Sequence, residues 1–313
     1  MENPSPSLDR QLAHLTTERP NPRSAQIDQL TPLEIVRLMN EEDAAVPRAV
    51  QKVERSIAAA IEVITSRLRA GGRLIYLGAG TSGRLGVLDA AECPPTFNSP
   101  PEMVVGVIAG GPPALMRAVE GKEDHPEFGR DDLEQIGLSS GDVVVGIATS
   151  GRTPYVIGGL QYARSIGAFT VGLSCNEDSE LAQVSDLQIT PVVGPEVISG
   201  STRLKAGTAT KLVLNMLTTG TMVRLGKTYG NLMVDLRATN QKLAARARRI
   251  VKMLTGVDDD RATDLLRQAA GEVKVALVCH VRGVTPQQAR ELLARHGGHL
   301  RPVLEAGNAE EAE

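Results

Sequence analysis

Short apolar runs alternate with amphipathic segments through the middle of the chain. The apolar residues of each run are consecutive, as is typical of parallel strands buried on both faces. The predicted strands are Arg73–Leu77, Met103–Ile108, Asp142–Ile147, Phe169–Leu173 and Leu187–Val192. The helices predicted between them are Leu85–Ala91, Pro113–Glu120, Pro154–Ile166 and Ser179–Val184. This alternation predicts an α/β fold with a doubly wound, mostly parallel five-stranded sheet, whose ligand site lies at the carboxyl ends of the strands.

Helical patterns without β character flank this region. On the amino-terminal side, Thr31-Pro32 predicts a helix start running to about Asn40, and apolar spacings of three and four predict a longer helix over 46–68 that Gly71-Gly72 end. On the other side the predicted helices are Thr208–Leu225, Thr239–Leu254, Asp258–Ala270, Glu272–Val281 and Pro286–His296. We therefore expect an arm and helix over 1–50, an α/β domain with flanking helices over 51–255, and a small three-helix domain with an acidic tail over 256–313.

Charge and composition exclude several classes of function. With 34 basic and 37 acidic residues the net charge is −3, which favours neither nucleic acid nor an anionic membrane surface as a partner. Apolar stretches are too short to span a bilayer, and the first twenty residues lack a signal-peptide pattern. The three cysteines (Cys93, Cys175 and Cys279) are too widely spaced for a disulfide framework or a zinc site. We expect a cytoplasmic protein.

The tetrapeptide Thr-Ser-Gly-Arg occurs twice, each time between a predicted strand and a predicted helix, at 81–84 and 149–152. Free backbone N–H groups and the helix dipole make such a turn a site for anions, and hydroxyl groups add donors that suit a phosphate. The phosphate ligands predicted from this pattern are Thr81, Ser82, Gly83, Thr149, Ser150, Gly151 and Thr153. The alternative is that both turns merely cap helices.

A dinucleotide is the competing ligand, because Gly78-x-Gly80-x-x-Gly83 matches the dinucleotide fingerprint. That fingerprint also needs an acidic residue at the end of the second strand to hold a ribose hydroxyl. Here the second predicted strand ends in Val107-Ile108-Ala109-Gly110-Gly111, and Glu102 lies at its other end. A phosphorylated sugar is the better prediction.

The two turns resemble those of the sugar isomerase (SIS) domain family, whose loops bind phosphosugars. Four longer segments are similar to one ether-cleaving branch of that family: 17–22, 77–95, 118–124 and 196–208. The resemblance covers nearly the whole chain and implies an SIS-type αβα sandwich over 51–255. It also implies a homodimer without a metal or other cofactor. The implied reaction converts N-acetylmuramate 6-phosphate to N-acetylglucosamine 6-phosphate and D-lactate, in cell-wall sugar recycling.

Breaking the lactyl ether requires acid–base chemistry at two places. A base must remove the C2 proton of the ring-opened sugar, an acid must protonate the departing lactate oxygen, and water then adds at C3. Two carboxyl groups with separated pKa values can do this. The resemblance implies that Glu92 is the proton donor and Glu123 the second catalytic glutamate, the expected C2 base. From the residues alone, Glu120, Asp124 and His125 remain alternatives to Glu123.

The position of Glu92 poses a geometric question. We predict that its helix ends at Pro94-Pro95. If residues 82–92 form straight helix, Ser82 and Glu92 lie about 15 Å apart, too far for both to act on one sugar. Either the chain bends at Glu92, or the two glutamates act across a dimer interface.

A third polar cluster follows the last predicted strand, with Glu196, Ser199, Arg203 and Lys205 as possible substrate ligands. Arg203 or Lys205 could neutralise a phosphate or the lactyl carboxylate. A charged helix start is the alternative. Two other functions stay open beside ether cleavage: a phosphosugar isomerase, and a non-enzymatic phosphosugar sensor resembling glucokinase regulatory protein.

Overall fold

The described residues form two compact units: residues 15–91 with 102–218, and residues 92–101 with 219–236 and 241–305. The computed structural model describes residues 15–236 and 241–305. Residues 1–14 of the predicted arm, the predicted helix start at Thr239 and the predicted acidic tail lie outside these residues. The domain boundaries predicted near residues 50 and 255 stay predictions.

A five-stranded parallel sheet forms the first unit, and it confirms the predicted fold class. Its strands are β1 (Leu74–Gly78), β2 (Val104–Ile108), β3 (Val143–Ile147), β4 (Phe169–Leu173) and β5 (Leu187–Ile189). The spatial order is β2-β1-β3-β4-β5, and every pair is parallel. In this order the chain reverses direction across the sheet between β1 and β3, and ligands bind at such a switch point. β5 ends before its predicted limit at Val192, since Pro191 has no amide for the ladder.

The register of β1 and β3 places the two Thr-Ser-Gly-Arg turns at the same edge of the sheet. Leu74 pairs with Val143 and Gly78 with Ile147, so β1 and β3 run side by side and end together. Each strand is followed by one copy of the tetrapeptide. The fold therefore places both turns at the switch point.

The helices of this unit follow the predicted pattern with four corrections. They are α1 (Pro32–Asp43), α2 (Val46–Gln51), α3 (Glu54–Arg69), α4 (Gly80–Phe97), α5 (Pro113–Met116), α6 (Pro126–Gln135), α7 (Pro154–Ser165), α8 (Glu180–Gln183) and α9 (Lys205–Arg224), of which α4 and α9 continue into the second unit. The single helix predicted over 46–68 is two helices, and α5 is shorter than predicted. α6 was not predicted, because its buried residues are few and its moderately amphipathic pattern lies in a charged segment. The fourth correction concerns both ends of α4, which begins at Gly80 and not at the predicted Leu85.

Helix α4 does not end at Pro94-Pro95 as predicted. A proline inside a helix removes one amide donor, so Pro94 and Pro95 leave the carbonyls of Ala90 and Ala91 without their helical partners. The fixed φ of proline is nevertheless a helical value. The helix continues to Phe97, and the amide of Asn98 still donates to the carbonyl of Pro94 at 2.9 Å. Asn98 has φ of 49°, the left-handed conformation that commonly ends a helix.

Close packing of α6 on α7 brings the loop before α6 to the start of α7. Both helices carry glycine at the crossing: a Cβ atom at Gly129 would collide with the carbonyl oxygen of Tyr155, and one at Gly158 with that of Pro126. The core beneath them joins the two helices to the sheet through Leu133, Leu160 and Leu77, which are fully buried. Because Glu123 is in the loop before α6, this crossing places it near the start of α7.

The second unit is a helical domain with its own core. A two-stranded hairpin, β6 (Thr228–Tyr229) with β7 (Leu232–Met233), turns at Gly230-Asn231. The helices that follow are α10 (Gln241–Thr255), α11 (Asp259–Gln268), α12 (Val273–Arg282), α13 (Pro286–Arg295) and α14 (Leu300–Glu305). The three predicted helices of the small domain are present, and α14 is an addition. No helix within residues 15–236 and 241–305 combines the length and apolar character needed to cross a bilayer.

Candidate functional site

The two Thr-Ser-Gly-Arg turns have the same sequence but different conformations. In the first copy, helix α4 begins at Gly80, so Thr81, Ser82 and Gly83 form its first turn. In the second copy, the chain stays non-helical until α7 begins at Pro154, and Thr153 is the N-cap residue. A helix starting at Ala148 would contain Pro154 in its interior, where the missing N–H and the ring are costly. Proline is favourable at the first position of α7, so the helix begins there.

The first turn presents a helix N-terminus at the end of β1. Gly83 packs so closely on the strand that a Cβ atom there would lie 2.6 Å from the carbonyl oxygen of Gly78. Ser82 is 8% exposed and Thr81 is half-buried. The Gly83 amide donates to the carbonyl of Ala79 at 3.1 Å, whereas the amides that precede it in a first helical turn have no acceptor within their own helix, and the dipole adds positive potential there. This turn has the chemistry of a phosphate site.

The second turn is a compact loop held by the segment that follows β4. Gly151 has φ of 74°, and a Cβ atom at this position would collide with the Cβ of Ser179. The amide of Leu181 donates to the carbonyl of Gly151 at 2.9 Å, and the amide of Arg152 donates to the Ser150 hydroxyl at 3.3 Å. Only glycine has both the space and the conformation that this loop requires.

Asn176, which was not predicted from the sequence, joins the second turn to the amino-terminal segment. Its side chain is 2% exposed and donates to the carbonyl of Thr149 at 3.0 Å and to the Thr17 hydroxyl at 3.2 Å. Its amide oxygen accepts from the backbone amide and the hydroxyl of Thr16, at 2.7 and 3.0 Å. The available signal was the polar run Ser174-Cys175-Asn176 directly after β4, at the edge where the ligand site was expected.

The arginines that end the two turns bind protein groups. Arg84 donates to the carbonyls of Leu115 and Arg117, both at 3.3 Å. Arg152 forms an ion pair with Glu180 of α8 at 3.0 Å. The two copies of the motif therefore hold different parts of the site in place.

Glu123 lies in an exposed loop that is fixed to the start of α7. The backbone amide of Tyr155 donates to the carbonyl of Glu123 at 3.0 Å. Since Tyr155 is in the first turn of α7, this bond places the Glu123 backbone beside the second Thr-Ser-Gly-Arg turn. The alternatives Glu120, Asp124 and His125 are also exposed, and His125 pairs with Glu127 at 2.9 Å.

Glu92 is an exposed residue of α4, ten positions after Ser82 in one continuous helix. The helix rise puts their backbones about 15 Å apart along the axis. Leu88, one turn before Glu92, is 53% exposed. Glu92 and Leu88 therefore share an exposed face of α4.

Two members of the third polar cluster are used inside the protein. Glu196 is fully buried and accepts from the backbone amides of Lys205 and Ala206 at 3.0 and 2.9 Å, at the start of α9. Burial raises the pKa of Glu196, and these hydrogen bonds only partly offset it. The Lys205 ammonium is buried in an ion pair with Glu42 at 2.6 Å. Both side chains stabilise the start of α9.

The remaining members of this cluster lie nearer the surface. The Ser199 hydroxyl donates to the carbonyl of Glu18 at 2.6 Å, and Arg203 is exposed. A Cβ atom at Gly207 would lie 3.8 Å from the Thr81 side chain, so the start of α9 is next to the first turn. The start of α9, which Glu196 and Lys205 stabilise, is therefore adjacent to the first Thr-Ser-Gly-Arg turn.

A cavity of about 650 Å³ opens beside the second turn, large enough for a phosphorylated sugar. Its polar lining includes Arg152 and Asn176 together with Arg19 of the amino-terminal segment. The cavity and the second turn thus share residues.

A parallel αβα sandwich with two hydroxyl-rich turns at its switch point defines the class of SIS phosphosugar-binding domains. The SIS domain model matches residues 132–220, the model of the glucokinase regulatory protein N-terminal SIS domain matches 56–164, and that of the C-terminal lid domain of glucokinase regulatory protein matches 230–276. An N-acetylmuramic acid 6-phosphate etherase from Rhodopirellula baltica is 65% identical over 294 residues, covering 94% of this chain and 97% of its own. The chain belongs to the N-acetylmuramic acid 6-phosphate etherase family, which confirms the predicted resemblance.

A second etherase agrees with this chain in length as well as in sequence. An etherase of the same name from Streptomyces coelicolor is 58% identical over 301 residues, covering 96% of this chain and 97% of its own. Among solved structures, a phosphoheptose isomerase from Francisella tularensis aligns with a TM-score of 0.49 at 16% identity, covering 62% of this chain and 100% of that one.

Proposed function

We propose that this protein cleaves the D-lactyl ether of N-acetylmuramate 6-phosphate and releases N-acetylglucosamine 6-phosphate and D-lactate. The observation that carries this proposal is the 65% identity, over nearly the full length of both chains, to an etherase of that substrate. The enzyme is then a carbon–oxygen lyase for a phosphorylated amino sugar. It works on a cell-wall sugar in the cytoplasm, in keeping with its three separate cysteines.

The sugar phosphate binds at the switch point. The first-turn amides of α4 and the hydroxyls of Thr81 and Ser82 receive it from one side. Thr149, Ser150 and Thr153 receive it from the other side, with Gly83 and Gly151 allowing close backbone approach. Both turns follow strands that end together, which supports their acting on one ligand.

Two glutamates carry the chemistry. Glu123, ionised, removes the C2 proton of the ring-opened sugar while Glu92, protonated, gives its proton to the lactate oxygen, and the C3–O bond breaks. Water then adds at C3: Glu92 takes a proton from the water, and Glu123 returns its proton to C2. The cycle restores both carboxyl groups to their starting charge.

The active enzyme is a homodimer in which Glu92 serves the partner's site. The unbroken helix α4 supports this, because about 15 Å separates Glu92 from the Ser82 turn of the same chain. The exposed Leu88 lies on the same face of α4, and a second copy covering that face would bury it together with the Glu92 side chain.

Cleavage in heavy-oxygen water tests the reaction. We expect D-lactate release, with one heavy oxygen at C3 of the sugar product, because elimination followed by hydration breaks the bond on the sugar side. Label found only in lactate would contradict the mechanism. An isomerised phosphosugar without any lactate would instead identify an isomerase.

A further inference from the structure

The loop that carries Glu123 depends on few anchors. Residues 117–123, here called the strap, contain no helix or strand, and every side chain in them is exposed. Segments of this kind open easily unless specific contacts hold them. The contacts at the two ends of the strap come from Arg84 and from the first turn of α7.

Arg84 holds the first end. Its guanidinium donates from Nε to the carbonyl of Leu115 and from Nη2 to the carbonyl of Arg117, each at 3.3 Å. These carbonyls belong to the last turn and C-cap of α5, where carbonyl groups have no partner within the helix. The other end is fixed by the Tyr155 amide, which donates to the Glu123 carbonyl.

Contacts in the middle of the strap are weaker. Val119 packs against the backbone of Gly110, where an added Cβ atom would lie 3.1 Å from the valine side chain. The Lys122 ammonium lies 4.7 Å from the centre of the Phe128 ring. An exposed contact of this kind is a modest restraint, so the two end anchors dominate.

We infer that Arg84 is a positioning residue that sets the place of Glu123 relative to the substrate phosphate. It follows Thr81, Ser82 and Gly83 directly, so one helical turn would bind the phosphate and fix the strap. The second copy of the motif lacks this arrangement, since Arg152 pairs with Glu180 of α8. The inference rests on the proposed function for the role of Glu123, whereas the anchoring of the strap can be tested without it.

The kinetic test uses Arg84→Gln and Arg84→Lys in the full-length protein. We expect Arg84→Gln to lower kcat about 10- to 100-fold with KM changed less than about threefold, since a misplaced catalytic group costs rate more than binding. Arg84→Lys, which keeps the charge, should be intermediate. Arg130→Gln is the matched control, because Arg130 is an exposed arginine of α6 paired with surface carboxylates, and both constants should stay near wild type. A rise in KM at constant kcat would instead make Arg84 a phosphate ligand and overturn the inference.

Limited trypsin digestion tests the anchor independently of any activity. The strap contains two cleavage sites, after Arg117 and after Lys122, and fragment masses identify each cut. Cleavage there should be at least about threefold faster in Arg84→Gln than in wild type or Arg130→Gln, at equal thermal stability. Unchanged cleavage overturns the inference, and so does faster cleavage with unaltered kcat.

If Arg84→Gln does not fold, Arg84→Lys decides by the same two measurements. Failure of the wild-type protein to release lactate would refute the proposed function, while the digestion would still decide whether Arg84 holds the strap.

Discussion

The backbone amide of Tyr155 donates a hydrogen bond to the carbonyl oxygen of Glu123 across 3.0 Å. This bond joins the loop before α6 to the first turn of α7, and it involves no side-chain atom of Glu123. A change of the Glu123 side chain therefore leaves the attachment of the loop intact. Substitutions at this position test chemistry with little disturbance of structure.

Glu123→Gln should abolish turnover while leaving ligand binding intact. An amide cannot accept the C2 proton, so we expect lactate release to fall about 100-fold or more. Binding of N-acetylglucosamine 6-phosphate, measured by calorimetry, should change less than about threefold, because the phosphate turns are untouched. Asp124→Asn is the matched control and should remain active. Loss of activity in Asp124→Asn with normal turnover in Glu123→Gln would move the base to the neighbouring residue. Binding and no turnover in the wild type would favour the alternative of a non-enzymatic phosphosugar sensor.

Mixing two inactive variants should restore activity if Glu92 serves the partner's site. A heterodimer of Glu92→Gln with Glu123→Gln contains one site with both wild-type glutamates and one with neither. Random exchange of subunits should then give about a quarter of the wild-type rate, since half of the dimers have one active site of two. The measurement is lactate release after mixing and subunit exchange. A mixture that stays inactive, although exchange is verified by mass, would place both glutamates in one chain.

Gly151→Ala should lower the free energy of unfolding by more than the strain of a positive φ alone would. Alanine at φ of 74° is strained, and its Cβ would also collide with Ser179. We expect a loss of more than about 2 kcal/mol in the free energy of unfolding, together with a raised KM. Gly71→Ala is the control: Gly71 has φ of 89°, but open space surrounds its Cβ position. It should lose only about 1 kcal/mol and keep its KM. Equal effects of the two substitutions would show that the contact with Ser179 is unimportant.

Lys205→Met should destabilise the fold and leave substrate binding in the folded protein unchanged. Removing the cation leaves the buried carboxylate of Glu42 without its main partner, a loss of about 3 kcal/mol at neutral pH. Urea unfolding measures this loss, and the double variant Glu42→Gln, Lys205→Met should recover most of it. A raised KM with unchanged stability would instead support Lys205 as a substrate ligand.

The cost of losing Lys205 should shrink at acid pH. Burial alone would raise the pKa of Glu42, but hydrogen bonds from Lys205 and Asn21 and the charges of Lys205 and Arg23 outweigh it, so its pKa lies below the ordinary 4.5. A lowered pKa contributes stability that is present above 4.5 and is lost as the pH falls through the folded-state value. The difference between wild type and Lys205→Met should therefore narrow below pH 4.5. A constant difference across this range would show that the charge of Glu42 is not the cause.

Apolar patterns were enough to predict the sheet, its strands and most of the helices that pack on it. The two turns were found for the same reason, because each follows a strongly apolar strand. Helix α6 escaped prediction since its charged sequence conceals a packing surface that depends on Gly129 and Gly158. The end of α4 was misplaced because two prolines usually stop a helix, whereas here the left-handed Asn98 ends it.

Side-chain partners in the site lay beyond what one sequence can predict. Glu196 binds the start of α9 and Lys205 pairs with Glu42, which lies far away in the chain, and neither partner could be predicted. Their role as substrate ligands stays a prediction. Asn176 was overlooked because its importance comes from Thr16, Thr17 and Thr149, which are brought to it by folding. Such contacts between distant positions leave no local pattern.

Changes to the amino terminus of the protein should keep the hydrogen bonds of the Asn176 side chain. Three of its hydrogen bonds are made with Thr16 and Thr17, and the fourth reaches the Thr149 carbonyl. An affinity tag or fusion junction is best placed ahead of Leu15. Trimming the chain to start at Glu18 would strip a buried amide of three partners and loosen the loop around Gly151, even though no residue of that loop had been edited.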